Sequence, residues 1–243
     1  MWRVGTVIAL EDETGTARTI ALQVADWPSH TAGQHVDIRL TAFDGYSAVR
    51  SYSIGSAPNQ EGRLELTVER LPDGEVSPYL TQKLAVGDRL ELRGPIGGWF
   101  VWRPWQTEPI QLIAGGSGIV PLMSMIRSRA SAASTAPFRL LYSVREPGAA
   151  FYRNELEAIA AQGHSVQISY AYTRAAPKNW PRPVGRIDAA LIANSTWPSG
   201  AVPTCYVCGP TSFVESVSAL LLSCGNKPDK VRTERFGPTG GRQ

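Results

Sequence analysis

The sequence predicts two domains: an N-terminal six-stranded antiparallel β-barrel over residues 1–103, and a C-terminal α/β domain with a five-stranded parallel sheet over residues 104–243. Two observations predict this division. Short β-rich runs follow one another closely up to about residue 100, whereas apolar strands alternate with helical patterns beyond it. The length of 243 residues, 43% of them hydrophobic, also suffices for two cores.

The first half contains six β-rich runs, separated by turns of Gly, Pro and Asp, with one short helix predicted at residues 77–84. Closely spaced strands of this kind are typical of a small antiparallel barrel. The predicted strands are Val4–Leu10, Thr19–Val24, His35–Leu40, Val49–Ile54, Leu64–Arg70 and Arg89–Leu92.

The second half follows a Gly- and Pro-rich run at residues 94–98 and a predicted linker at residues 102–109. Here each apolar strand is followed by a helical pattern, which indicates a parallel sheet with crossover helices. The predicted strand and helix pairs are Ile110–Ala114 with Val120–Arg129, Arg139–Ser143 with Arg153–Ala161, Val166–Tyr170 with Ile187–Ala193, and Tyr206–Cys208 with Ser212–Leu222.

Charge and cysteine content limit the class of protein. Residues 1–104 carry 10 basic and 13 acidic side chains and residues 105–243 carry 14 and 8, so the second half is net basic and suits a polyanionic ligand. The arginines are dispersed among loops, which disfavours nucleic acid as the partner. No signal peptide or membrane span is predicted, and three cysteines do not form a secreted disulfide framework, so we expect a cytoplasmic protein.

The most informative segment is the run Arg50, Ser51, Tyr52 and Ser53, which closes a predicted strand. The two-residue period of a strand places Arg50 and Tyr52 on one face, where a guanidinium for phosphate lies beside a ring that can stack on another planar ring. A flavin nucleotide offers both partners. Ser53 adds a hydroxyl that could address a flavin nitrogen if the strand bends there. The alternative is ordinary barrel packing.

A second segment, Gly74, Glu75, Val76 and Ser77, precedes the single helix of the barrel half. Ser77 is predicted to be the N-cap, with Pro78 at the first helical position. The unpaired N–H groups of a helix start are suited to a pyrophosphate. An ordinary capped helix is the alternative.

Two further segments follow apolar strands of the second half. One is the glycine-rich turn Gly115, Gly116, Ser117 and Gly118, which continues to Pro121 and lies in the strand, turn and helix order of nucleotide-binding sheets. The other is Cys208, Gly209 and Pro210 at the end of the last helix-flanked strand, where a small polarisable side chain could face a nicotinamide ring.

In this order the segments resemble those of the ferredoxin–NADP(+) reductase family of flavin oxidoreductases. The resemblance runs from about residue 3 to residue 236 and includes Gly94, Pro95, Gly98 and Phe100 at the domain junction. It implies a flavin-binding barrel, a nicotinamide nucleotide-binding α/β domain, and FAD in preference to FMN. His35 departs from the aromatic residue common in the family, and we interpret it as structural.

The resemblance also implies residue roles. Tyr52 stacks on the isoalloxazine, Ser53 addresses N5, and Ser77 with its neighbouring backbone holds the pyrophosphate, while Ser51 and Val68 complete the flavin contacts. Cys208 lies near the nicotinamide carbon that gives up hydride. Glu234 and Phe236 match the family's terminal acidic and aromatic pair, in which the aromatic ring covers the flavin. The chain continues beyond Phe236, and we expect that tail to be disordered.

Arginines near predicted strand ends favour NADPH over NADH. Arg145 follows the second strand of the sheet, Thr173 and Arg174 follow the third, and Arg186 precedes the next helix; all three arginines are expected at strand ends on the crevice side. The 2′-phosphate of NADPH prefers hydroxyl and guanidinium donors, whereas NADH selection usually places a carboxylate at the ribose. Because Arg145 also occurs in NADH-using relatives, Arg174 and Arg186 carry this preference.

The predicted function is a reductase that takes hydride from NADPH at FAD and passes electrons to an external acceptor, either ferredoxin or flavodoxin. An NADH-dependent reductase component of an oxygenase is the neighbouring alternative. The chain holds too few cysteines for its own iron–sulfur cluster of ferredoxin type. Two alternatives of another class are a metal-binding module built on Cys205, Cys208 and Cys224, and a redox-inactive nucleotide-binding module.

Overall fold

The computed structural model describes residues 1–59, 61–163 and 166–237. The chain divides into two compact units. One contains Met1–Arg103 and Met123–Ser131, and the other contains Pro104–Leu122 and Ala132–Gln243. The predicted boundary after residue 103 coincides with one limit of these units, but nine residues from the second half of the chain group with the first unit.

The first unit is built on a six-stranded antiparallel sheet, as predicted. Its strands are β1 (Trp2–Thr14), β2 (Ala17–Val24), β3 (His35–Thr41), β4 (Ser47–Ser53), β5 (Arg63–Glu69) and β6 (Arg89–Ile96). They are arranged in the order β4-β3-β6-β1-β2-β5, and a bridge between Ile54 and Leu66 joins the end of β4 to β5. The sheet thus closes around a core of apolar side chains that includes Leu22, Ile38 and Leu92.

The helix of this unit, α1 (Ser77–Gln82), starts differently from the prediction. Val76 occupies the N-cap position and no side chain caps the helix, so Ser77 is its first residue and Pro78 its second. The Ser77 hydroxyl instead accepts a hydrogen bond from the backbone N–H of Leu71 at 3.0 Å. The predicted cap is therefore wrong, because this hydroxyl closes the preceding turn.

The second unit contains the predicted five-stranded parallel sheet, in the order β11-β10-β7-β8-β9. Its strands are β7 (Ile110–Gly115), β8 (Phe138–Val144), β9 (Val166–Tyr172), β10 (Thr204–Pro210) and β11 (Val231–Phe236), and its helices are α2 (Ile119–Ser131), α3 (Arg153–Ala161), α4 (Ala189–Ser195) and α5 (Thr211–Ser223). The boundary between the two units falls within α2. Strand order reverses between β7 and β10, so their carboxyl ends flank the usual ligand crevice of such a sheet.

Two elements of this unit depart from their sequence patterns. The segment that forms β11 is polar and only half-buried, so no apolar run marked it as the fifth strand. Helix α4 begins at Ala189 rather than at Ile187, because the carboxylate of Asp188 accepts a hydrogen bond from Leu191 N at 2.8 Å and caps the helix.

Helices α2 and α5, with 13 residues each, are the longest helices of the described chain. None of the described helices combines the length and the apolar character that crossing a membrane requires.

Removal of a core side chain tests the barrel. Leu66 is fully buried between β2 and the bridge to Ile54, so Leu66→Ala should lower the free energy of unfolding by about 2–5 kcal/mol. Leu71→Ala, at an exposed position, is the matched control and should change it by less than about 0.5 kcal/mol. Denaturant unfolding monitored by tryptophan fluorescence measures both, and equal losses would contradict this description of the core.

Candidate functional site

The run Arg50–Ser53 forms the end of β4, the edge strand of the barrel sheet. Arg50 lies opposite Ile38 and Tyr52 lies opposite Val36, which confirms that the arginine and the tyrosine share one face. The Tyr52 ring packs partly against the barrel core. Burial raises the pKa of Tyr52 to about 12, opposed by the nearby charge of Arg50, so its hydroxyl stays protonated at neutral pH.

Arg50 joins the two segments that the sequence assigns to the flavin. Its guanidinium forms an ion pair with Glu75, and the other carboxylate oxygen of Glu75 accepts a hydrogen bond from the Tyr46 hydroxyl at 2.8 Å. Gly74 has no space for a side chain, since a Cβ would lie 2.9 Å from the Ser77 hydroxyl oxygen. Because Glu75 pairs with Arg50, the segment 74–77 lies directly beside the arginine.

Ser51 and Ser53 lie on the opposite face of β4. Ser51 donates a hydrogen bond to Asp37 at 2.7 Å, and Arg93 donates to the same carboxylate at 2.6 Å. Burial opposes ionisation of Asp37, but these hydrogen bonds outweigh it and lower its pKa. Ser53 lies opposite His35, and the chain changes partner strand immediately after it.

Val68 is fully buried in the barrel core. Its side chain serves packing, so only its backbone is left for the cofactor contact expected from the sequence. The side chains at the end of β4 fit the groups of FAD. They provide a guanidinium for phosphate, a half-buried aromatic ring for stacking and a hydroxyl for hydrogen bonding.

No pattern in the sequence marks the residues that hold the turn after Ser53. The backbone carbonyl of Ser56 accepts two hydrogen bonds, from the His30 Nε2–H at 3.1 Å and from the Ser124 hydroxyl of α2 at 2.7 Å. Burial lowers the pKa of His30, only partly offset by this bond, so the ring is neutral at neutral pH. All of these groups are buried.

One turn further along α2, Arg127 holds the neighbouring carbonyl. Its guanidinium donates to the Gly55 carbonyl at 2.9 Å and to the Glu65 carboxylate at 3.1 Å. Ser124 and Arg127 carry no signal in the sequence, because they belong to a helix whose pattern predicts the other domain. We call His30, Ser124 and Arg127 the turn clamp.

In the second unit the structure brings the glycine-rich turn onto the end of β10. A Cβ at Gly118 would lie 2.2 Å from the carbonyl oxygen of Cys208, so only glycine permits this approach. Gly116 has a φ of +55° and open space beside it, next to Ser117. The open side of the turn, at Gly116, is therefore where a ligand can approach the backbone.

The other two glycines of these segments have a different use. A Cβ at Gly115 or at Gly209 would lie within 2.7 Å of the Phe213 ring. At these two positions, one in the glycine-rich turn and one at the end of β10, the absence of a side chain leaves room for the Phe213 ring of α5 rather than for a ligand.

Cys208 is buried at the carboxyl end of β10, with Glu234 of β11 directly opposite. Burial, with a smaller contribution from the Glu234 carboxylate, raises the pKa of Cys208 well above its usual value. The thiol is therefore neutral. Phe236 lies opposite Pro210 with 36% of its surface exposed, and residues 238–243 of the tail lie outside the described residues.

Cys205 and Cys208 are three residues apart in β10, so their side chains point to opposite faces of the sheet. Cys205 packs among the core residues of the second unit, and Cys224, directly after α5, is partly buried against the same core. Within residues 1–59, 61–163 and 166–237, no three or more His, Cys, Asp or Glu side chains are placed to hold a metal ion together.

The loops that carry Arg145 and Arg174 are joined by their backbones. Arg174 N donates to the Arg145 carbonyl at 2.9 Å, and Thr173 N donates to the Val144 carbonyl at 2.9 Å. Both arginines are exposed. The two guanidinium groups thus start from adjacent backbone positions at the carboxyl ends of β8 and β9.

Arg186 does not directly follow a strand in the sequence. It lies in the loop before α4, and Gly185 N donates to the carbonyl of Tyr172, the last residue of β9, at 2.9 Å. This bond brings the Arg186 loop to the end of β9.

Comparison with known proteins identifies the family. The family model described as the oxidoreductase FAD-binding domain matches residues 6–101, and the oxidoreductase NAD-binding domain matches residues 112–219. The chain belongs to the ferredoxin–NADP(+) reductase family. This reductase is therefore an NAD(P)H-dependent flavoprotein oxidoreductase with FAD as its cofactor, which confirms the family, the fold, the enzyme class and the cofactors expected from the sequence.

Two curated relatives illustrate the family. The reductase is 26% identical over 238 residues to the ferredoxin–NAD(P)(+) reductase component of naphthalene 1,2-dioxygenase/salicylate 5-hydroxylase systems from Ralstonia sp., covering 97% of this chain and 69% of that protein. It is 30% identical over 232 residues to the glycine betaine monooxygenase reductase subunit of Chromohalobacter salexigens, covering 93% and 62%. The reductase thus spans about two thirds of the length of these relatives.

Among solved structures, the flavohem-like FAD/NAD-binding domain of nitric oxide dioxygenase from Vibrio cholerae superposes with a TM-score of 0.85 and 24% sequence identity. The superposition covers 97% of this chain and 99% of that one. This likeness shows a shared fold.

Substitution of Gly118 tests the packing of the glycine-rich turn. Gly118→Ala places a methyl group against the Cys208 carbonyl and should lower the free energy of unfolding by about 1–3 kcal/mol. Gly148→Ala, where the space is open, is the matched control and should have little effect. Thermal denaturation measures both, and a fully stable Gly118→Ala variant would contradict the contact.

Removal of the Arg127 guanidinium tests the turn clamp. Arg127→Met leaves the Gly55 carbonyl without this donor and should lower the free energy of unfolding by about 1–3 kcal/mol. Arg63→Met, which removes the more exposed partner of the same Glu65, should change it by less than about 0.5 kcal/mol. If the clamp positions Tyr52, the visible circular dichroism of bound FAD should also change in Arg127→Met and not in Arg63→Met.

Proposed function

We propose that this reductase oxidises NADPH at FAD and transfers the electrons to an external acceptor, either ferredoxin or flavodoxin. The observation that carries the preference for NADPH is the exposed position of Arg174 at the carboxyl end of β9, in a loop whose backbone is hydrogen-bonded to that of Arg145. With the Thr173 hydroxyl and Arg186, these two arginines supply donors for a 2′-phosphate. The residue at position 174 is basic where NADH selection uses a carboxylate.

On the flavin side, Arg50 grips the pyrophosphate and the backbone of Gly74, Glu75, Val76 and Ser77 adds N–H donors. The ion pair between Arg50 and Glu75 supports this assignment, because it places the guanidinium directly beside that segment. Tyr52 provides a half-buried ring for the isoalloxazine, and its neutral hydroxyl brings no charge to the ring system. Ser53 offers a hydroxyl to N5 from the end of β4.

On the nicotinamide side, Gly116, Ser117 and Gly118 present backbone to the pyrophosphate of the nucleotide, supported by the open space at Gly116. Cys208, with Gly209 and Pro210, lines the nicotinamide subsite as a neutral thiol. Glu234 lies beside it, and Phe236 covers the site until nicotinamide enters. FAD, when bound, supplies the redox chemistry, because it accepts two electrons and returns them singly or together.

A second candidate is the reductase component of an oxygenase. The observation in favour is that both of the curated relatives described above are named as reductase components or subunits of oxygenase systems. Such a role places the acceptor on a partner protein or on a domain outside these 243 residues. A cytoplasmic location is part of the proposal, and the three cysteines, which form no disulfide bond, are consistent with a reducing compartment.

Anaerobic mixing of the FAD-loaded protein with each nucleotide tests the proposal directly. NADPH should bleach the flavin absorbance faster than NADH at equal concentration, and faster bleaching by NADH would favour the oxygenase component.

Metal analysis together with the visible spectrum distinguishes the reductase from a metal-binding module and from a redox-inactive nucleotide-binding module. Flavin bands without stoichiometric iron or zinc favour the reductase, and a protein with FAD that neither nucleotide bleaches would be redox-inactive.

Substitution of Arg174 tests the 2′-phosphate contact. Arg174→Ala should raise the KM for NADPH at least about tenfold, the cost of one charge-assisted phosphate contact, and leave the KM for NADH within about twofold. Lys178→Ala, an exposed cation four positions along the same loop, is the matched control. Steady-state reduction of ferricyanide measures both constants, and an equal rise for both nucleotides would contradict the assigned contact.

A further inference from the structure

The cation proposed to hold the FAD pyrophosphate already has an anionic partner inside the protein. One terminal nitrogen of the Arg50 guanidinium pairs with the Glu75 carboxylate, and the other donates to the Val49 carbonyl at 2.8 Å. The two side chains of the pair are 51% and 49% exposed. Both terminal nitrogens of the guanidinium are therefore engaged, on the surface where a ligand must arrive.

Glu75 is held in this position from a second side. The Tyr46 hydroxyl donates to the carboxylate oxygen that does not contact Arg50, at 2.8 Å. Tyr46 closes the hairpin between β3 and β4, where Ala42 N donates to the Tyr46 carbonyl at 2.8 Å. The hydrogen bond to Glu75 raises the pKa of Tyr46, so the hydroxyl remains a donor. Glu75 is thus fixed by one neutral and one charged donor.

A diphosphate and a carboxylate compete for the same donors. A bidentate hold on phosphate uses two neighbouring N–H groups of a guanidinium, and the bonds to Glu75 and Val49 already use one of the two N–H groups on each terminal nitrogen of Arg50. A diphosphate that approaches Arg50 also meets the negative charge of Glu75. Binding of the diphosphate therefore requires that the carboxylate move away or share the guanidinium.

We propose that Glu75 competes with the FAD diphosphate for Arg50. The Glu75 carboxylate binds the Arg50 guanidinium until the diphosphate displaces it, and Glu75 therefore lowers the affinity of the reductase for FAD. The inference rests on the phosphate role proposed above for Arg50. Because the ion pair is half-exposed, its contribution is modest, and removal of the charge should tighten FAD binding about three- to tenfold.

The barrel offers a matched control. Arg39 and Glu91 form another partly exposed ion pair, with two hydrogen bonds of 2.8 and 2.7 Å, and the Arg39 guanidinium stacks 4.3 Å from the Trp2 ring. This pair lies on β3 and β6, outside the segments assigned to FAD. Glu91→Gln removes the same charge as Glu75→Gln without a change at Arg50.

The experiment measures free FAD in ultrafiltrates of a dilution series of the FAD-loaded full chain. Glu75→Gln should lower the dissociation constant of FAD about three- to tenfold, and Glu91→Gln should leave it within about twofold. An unchanged or raised dissociation constant in Glu75→Gln would overturn the proposal and show that Glu75 supports Arg50 rather than competes for it.

Arg50→Gln separates this inference from the function on which it rests. If Arg50 grips the diphosphate, this variant should bind FAD at least about tenfold more weakly. An unchanged affinity would contradict the phosphate role of Arg50, and with it the proposal that Glu75 competes for Arg50.

The double variant tests the competition by itself. In the Arg50→Gln background, Glu75→Gln should tighten FAD binding less than twofold. A full three- to tenfold gain there would show that Glu75 repels the phosphates directly, which overturns competition for the guanidinium alone.

Discussion

The buried carbonyl groups of Gly55 and Ser56 impose the constraint on which the end of β4 depends. A buried carbonyl without a partner costs about as much as a lost hydrogen bond. Here the two groups are satisfied by side chains from distant parts of the chain, His30 before β3 and Ser124 and Arg127 in α2. Because the turn directly follows Ser53, the same hydrogen bonds that satisfy it also fix where β4 ends and where Tyr52 lies.

The second unit satisfies a different constraint, the close approach of backbone to backbone. Gly118 packs on the Cys208 carbonyl, and Phe213 fills the space that side chains at positions 115 and 209 would need. These contacts place the open backbone at Gly116 next to the carboxyl end of β10. The resulting position depends on the absence of side chains, so it tolerates little substitution.

Periodicity in the sequence predicted most of this architecture, because strands β2, β3 and β5 and the buried strands β7 and β8 have clear apolar patterns. It could not locate β11, because four of its six residues are polar and the strand is paired on one side only. It also missed the turn clamp and the Arg50 ion pair with Glu75, since residues 25 or more positions apart in the sequence meet only after folding. Ser77 was assigned the wrong local role, because a hydroxyl before a proline matches both a cap and a turn.

The burial of Cys208 has a practical consequence for chemical labelling. Thiol reagents attack the thiolate, and burial keeps both Cys208 and Cys205 protonated and out of contact with solvent. Cys224, which follows α5, is the one cysteine of the three that is not buried. A fluorophore or spin label should therefore attach first at Cys224, at the opposite end of α5 from Cys208 and Pro210.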